Sequence, residues 1–114
     1  MDEEIKRFND FRHRMNEKIS GSGNREIKRF FSLDKNVYAE GALTRKTKEL
    51  LGLTSSLVLR CQDCVTYHLS QLVEIGAADE ELYEAFSVAL VVGGSITIPH
   101  LRKAVAMLES MRKT

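Results

Sequence analysis

The run Cys61-Gln62-Asp63-Cys64-Val65-Thr66-Tyr67-His68 concentrates the side chains best able to do chemistry in this sequence. Thiolates are nucleophiles and metal ligands, and imidazole exchanges protons near neutral pH. At about 100° per residue, Cys64 falls about 60° and His68 about 20° from Cys61 around a helix, so one face carries all three. Cα atoms three apart in a helix lie roughly 5 Å from one another, within disulfide range, so the pair could open and close with little backbone movement. In a first helical turn, unsatisfied N–H groups and the positive dipole end favour thiolate over thiol. His68, one turn beyond Cys64, can accept or relay the proton. Glu49 shares a stripe with Leu53 and Leu57 at i+4 and i+8, so it should lean inward, where it could orient that base.

Competing chemistries use the same residues. Cys61, Cys64 and His68 are zinc-ligand types and would leave a fourth position for Asp63, His100 or water, yet no second C-x-x-C or H-x-x-x-H cluster is present. Haem attachment of the c type needs histidine where Val65 stands, and a thioredoxin motif needs a preceding strand. A lone C-x-x-C also arises by chance, and a histidine on a core-facing stripe is ordinarily a packing residue. Tyr67 reads as a core aromatic in preference to a pocket residue, His100 as a surface or cap residue, and His13 as solvated between Arg12 and Arg14.

Helices must position these groups. Ile5, Phe8, Phe11, Met15 and Ile19 recur at helical spacing, and Ser20-Gly21-Ser22-Gly23-Asn24 ends that element. Asn24 caps a second helix that should bury Ile27, Phe30 and Phe31 and break near Asp34, with Val37 and Tyr38 in a further short turn. Thr44 caps a third through about Leu59; Cys61 to Ile75 forms a fourth, closed by Gly76. Asp79 caps a fifth through about Val92, and Thr97-Ile98-Pro99 starts a sixth, with Leu101, Ala104, Val105, Leu108 and Met111 on its apolar face. No stretch alternates with period two, so the fold class is all-α with about six helices. We expect a single domain over 1–114, with an N-terminal helix and loop over 1–23 and a core over 36–98 that carries the C-x-x-C.

The chain has 114 residues, of which 43% are hydrophobic and 29% charged, with 17 basic against 16 acidic side chains. That balance suits one globular domain and gives no overall field for nucleic acid or an anionic membrane. Ala85 to Ile98 is shorter than the ~20 residues needed to cross a bilayer. The acidic start, Met1-Asp2-Glu3-Glu4, is unlike a secretory signal, so a cytoplasmic location is expected. There, two cysteines this close cannot staple distant parts of the fold, which leaves redox or metal chemistry.

Glu49, eleven intervening residues, then Cys61-x-x-Cys64-x-x-x-His68 resembles the AhpD-like alkylhydroperoxidases of the carboxymuconolactone decarboxylase superfamily. The flanks Leu43-Thr44-Arg45-Lys46-Thr47-Lys48-Glu49-Leu50 and Glu74-Ile75-Gly76-Ala77, with Glu81 and Glu84-Ala85, extend the resemblance over roughly 36–98. It implies an all-helical fold and thiol-dependent peroxide reduction, with Cys61 and Cys64 cycling between dithiol and disulfide while Glu49 and His68 relay protons through water. By the same resemblance Cys64 attacks and Cys61 resolves. Some members carry histidine between the cysteines where this chain has Asp63. The decarboxylase branch generally lacks the pair, which points to the redox branch. Short members form trimers or hexamers, so a homo-oligomer is implied. The cycle calls for no metal, flavin or other cofactor, only a small hydroperoxide and a thiol or dithiol reductant of lipoyl or thioredoxin-like type. The alternative is an oligomeric redox sensor or interaction module that does not turn over.

Overall fold

A computed structural model describes residues 3–113; Met1, Asp2 and Thr114, which the expected domain includes, lie outside the described residues. Among the described residues there are six α-helices and no strand: α1 (Glu3–Gly21), α2 (Arg25–Val37), α3 (Arg45–Leu59), α4 (Gln62–Ile75), α5 (Asp79–Gly93) and α6 (Ile98–Arg112), with a 3₁₀ turn, Ser95–Thr97, before α6. The fold is all-α.

Local chemistry explains most of the boundaries. The Asn24 side chain accepts from Ile27 N–H at 3.0 Å and Thr44 Oγ1 from Thr47 N–H at 3.1 Å, each meeting a donor that the first turn would leave unpaired. Gly76 closes α4 at φ 91°, a left-handed conformation open to glycine, and Ala77 N–H reaches back to the Leu72 carbonyl at 2.9 Å. Between α3 and α4, Arg60 takes φ 60°, the one positive φ of a non-glycine residue among the described residues. The chain there turns within two residues, so Cys61 caps α4 immediately after α3 ends.

The core lies where α3, α4, α5 and α6 meet, around Leu53, Leu57, Leu69, Leu72, Leu82 and Phe86. From α1 only Ile5 is fully buried, and Phe8 packs beside the core. Two expectations need correction at α2. It runs unbroken past Asp34 to Val37, because no glycine or proline interrupts it and Lys48 Nζ donates to the Val37 and Ala39 carbonyls at 2.8 and 2.7 Å, meeting carbonyls at its C-terminal end. It also has no fully buried side chain; Phe30 is 66% exposed, and Ile27 and Phe31 are exposed as well. An amphipathic pattern shows that a face is apolar and leaves open what covers it.

The expected cap of the fifth helix, Asp79, is instead its first residue, and the cap lies one residue earlier. Ala78 is the N-cap, and its N–H donates to Glu81 Oε1 at 2.9 Å; Asp79, inside the first turn, pairs instead with Arg112 at 2.6 Å. Among the described residues no helix is long and apolar enough to cross a membrane.

Candidate redox site

The site stands at the N-terminus of α4. Cys61 and Cys64 are joined by a disulfide with their Cα atoms 5.3 Å apart. Cys61 Sγ also accepts from Cys64 N–H at 3.3 Å, so the sulfur occupies the capping position that a hydroxyl or carboxylate usually takes. Cys64 is exposed and Cys61 only partly so. Reduction would leave two thiols beside the helix's positive end, where thiolate is favoured.

One helical turn further, His68 is 8% exposed and its Nδ1 lies 2.8 Å from Oε1 of Glu49, itself 2% exposed. With Glu49 as carboxylate the contact is an Nδ1–H donor to Oε1, the tautomer that leaves Nε2 free to accept a proton. α3 supplies the acid and α4 the imidazole. These two helices pack closely over their length, which holds the pair in register.

With Tyr67, three residues not singled out from the sequence, Tyr38, Gly52 and Arg12, complete the setting. Tyr38, at the end of α2, and Tyr67, next to His68, bring their rings to 5.4 and 5.3 Å from the imidazole, measured between centroids. Gly52 meets the ring from α3: a Cβ there would stand 2.6 Å from Cε1, 2.8 Å from Nε2 and 2.9 Å from Nδ1 of His68. Arg12 of α1 holds its guanidinium 4.0 Å from the Tyr67 ring centroid. Gly52 carries a sequence signal, being a glycine inside an otherwise regular helical run. Arg12 and Tyr38 carry none, since only tertiary packing brings them here.

Burial raises both tyrosines above their ordinary pKa. For Tyr38, the Glu49 charge adds to that effect; for Tyr67, the Arg12 cation opposes it and Glu49 again adds.

Two adjoining cavities open onto these groups. One, of about 370 Å³, is lined by Cys64, His68, Asp63 and Tyr67 below and by Phe8, Phe11, Arg12 and Met15 of α1 above. The other, of about 780 Å³, lies between α1, α2 and the α3–α4 pair and reaches Glu49. Tyr67 therefore lines the cavities and is not a core aromatic. His100 lies 3.4 Å from Gln62 Oε1, and His13 is exposed beside Glu17 at 3.0 Å. Among the described residues no three His, Cys, Asp or Glu side chains are grouped to hold a metal ion.

Comparison with known proteins agrees with this architecture. Two crystal structures of a Thermotoga maritima protein are 56% identical to the chain, with TM-scores of 0.91 and 0.89, and cover 95% and 94% of it and 95% and 91% of the matched chains. One is described as a carboxymuconolactone decarboxylase family protein with a suggested involvement in antioxidative response. A Legionella pneumophila protein of that family is 25% identical, with a TM-score of 0.88 over 96% of this chain and 98% of that one. A protein of the cox locus of Paracoccus denitrificans is 33% identical over 82 residues, 72% of this chain and 74% of the relative. The profile of the Carboxymuconolactone decarboxylase family matches residues 27–107, a span that runs from α2 into α6 and includes Glu49, both cysteines and His68. By that match, the chain belongs to the carboxymuconolactone decarboxylase family.

Proposed function

We propose that the chain is a thiol-dependent hydroperoxide reductase of the AhpD-like kind. The observation that carries this reading is a disulfide-capable pair, with its outer sulfur on a cavity shared with His68, and His68 held by a buried carboxylate. In the reduced protein, His68 Nε2 takes the Cys64 proton, directly or through water. The Cys64 thiolate attacks the terminal peroxide oxygen, the O–O bond breaks, and the departing alkoxide takes a proton from His68 to leave as alcohol. Cys61 then attacks the Cys64 sulfenate sulfur; water leaves and the disulfide forms. One hydroperoxide is reduced by two electrons, and a thiol or dithiol donor returns two electrons and two protons. Glu49 keeps the imidazole oriented throughout.

The exposure of Cys64 and the part-burial of Cys61 support attack by the former and resolution by the latter. A cytoplasmic setting would supply the reductant. Cys64→Ala is expected to abolish hydroperoxide consumption under saturating dithiol, and Glu49→Gln to slow it by about a hundredfold. Consumption unchanged by Cys64→Ala would defeat the mechanism.

A sensor or interaction role has one observation in its favour. Leu59, Val91, Val92 and Ile96, near the ends of α3 and α5, are exposed, Val91 by 87%. Apolar surface of this kind suits a homo-oligomer, trimer or hexamer, whose assembly the disulfide state could alter. Assembly identical in both redox states, by light scattering, would remove that reading.

A further inference from the structure

The cavity at Cys64 and the larger cavity beside it share Arg12, Asn16, Asp34 and Tyr67, so they form one continuous cleft under the α1–α2 hairpin. Its two ends differ in chemistry. Around Cys64 the roof is Phe8, Phe11 and Met15, an apolar wall beside the reacting sulfur. The far end carries Lys35 and Arg45 with the aromatic rings of Phe30 and Phe31, and Arg12 stands where the two ends join.

Three cations line the cleft against three carboxylates: Asp34, Glu49, which is already committed to His68, and Asp63, which stands at the Cys64 end. Among the described residues none of Arg12, Lys35 and Arg45 is ion-paired with a carboxylate; Arg45 instead donates to Gln71 Oε1 at 2.6 Å. Within the larger cavity Asp34 and Glu49 offset two of the three cations and leave the balance positive, while Asp63 puts a negative charge at the opposite end. A hydrogen peroxide molecule would fill little of such a space. A cleft of about 780 Å³ with rings along it and cations at one end has the size and lining of a site for an organic anion.

We propose that this cleft binds an amphipathic carboxylate, its anionic end at Lys35, Arg45 and Arg12 and its apolar body directed toward Cys64. Resting on the peroxidase reading for the reacting end, this makes the substrate class a carboxylate-bearing organic hydroperoxide. The carboxylate gains charge-assisted hydrogen bonds from guanidinium groups. The apolar body displaces water from Phe8, Phe11 and Met15, which brings the hydroperoxide to the exposed sulfur.

The test separates binding from turnover. Isothermal titration of the oxidised protein with 2-naphthoate and its uncharged analogue 2-naphthamide is expected to show at least about tenfold tighter binding of the acid, weakening as salt is raised. Lys35→Gln and Arg12→Gln, both at solvent-exposed residues of the cleft lining, should each reduce that preference, with circular dichroism checking that both fold. Equal binding of acid and amide, or no binding of the acid, would overturn the proposal. In turnover, linoleic acid hydroperoxide should be preferred over its methyl ester, and Arg12→Gln should bring the ratio toward one. Selective naphthoate binding without turnover of any hydroperoxide would uphold the cleft and refute the peroxidase reading.

Discussion

Gly52→Ala sets two effects of opposite sign against each other. In a helix interior, alanine is favoured over glycine by about 1 kcal/mol, so secondary structure alone predicts a more stable protein. The new Cβ, however, would lie 2.6 Å from His68 Cε1, where ordinary contact begins at 3.4 Å. The imidazole must retreat by roughly 0.8 Å, and it cannot do so freely because Tyr38 and Tyr67 flank it. Such a retreat breaks the 2.8 Å contact with Glu49 and leaves that carboxylate buried without its partner. Losing a charge-assisted hydrogen bond costs roughly 2 to 3 kcal/mol, so the net change is a loss of about 1 to 2 kcal/mol. Urea unfolding measures this. Turnover should fall by roughly ten- to a hundredfold, since misplacing a catalytic group by about 1 Å has that consequence. A variant stabilised by the full helix gain, with turnover undiminished, would overturn this expectation.

Other expectations are sharper in outcome than in size. After one equivalent of organic hydroperoxide, reduced Cys61→Ser should gain about 16 Da as a Cys64 sulfenate, while Cys64→Ser should stay unmodified; the reverse pattern would exchange the two cysteines' roles. Tyr38 and Tyr67 both ionise less readily when folded, so the unfolded chain releases its phenolic protons first. Their contribution to stability is intact below pH 10.0 and is lost as pH rises through the raised folded values. Thermal unfolding from pH 8 to 11.5 should show that decline, and Tyr38→Phe or Tyr67→Phe should flatten it.

Caps and stripes carry the legible part of the fold. Thr44 and Gly76 bound α3 and α4 because a hydroxyl acceptor and a left-handed glycine act within a few residues of themselves. The inward direction of Glu49 follows from its phase with Leu53 and Leu57, which are both fully buried. Phase also puts His68 on the face of Cys61 and Cys64. Distances across elements are a different matter. The 2.8 Å contact between Glu49 and His68 depends on how α3 docks on α4, and the arrival of Arg12 and Tyr38 depends on how the α1–α2 hairpin lies over both. α2 shows the limit most clearly: its apolar residues predict burial, yet Phe30 remains 66% exposed, since periodicity identifies a face and leaves its partner unspecified. At Asp34 the residue type suggests a break, but the surrounding helix formers and the Lys48 contacts carry the helix through.

On the proposed mechanism, Cys61 and Cys64 act as one two-electron redox pair driven by hydroperoxide. Thiol titration of the reduced, metal-free protein before and after one equivalent of an organic hydroperoxide, read together with intact mass, tests it most directly. Loss of both thiols and a mass decrease of about two hydrogens are expected, with one alcohol formed per disulfide. Two thiols that remain unreacted, or a mass gain of two oxygens at a single cysteine with the other still free, would contradict it.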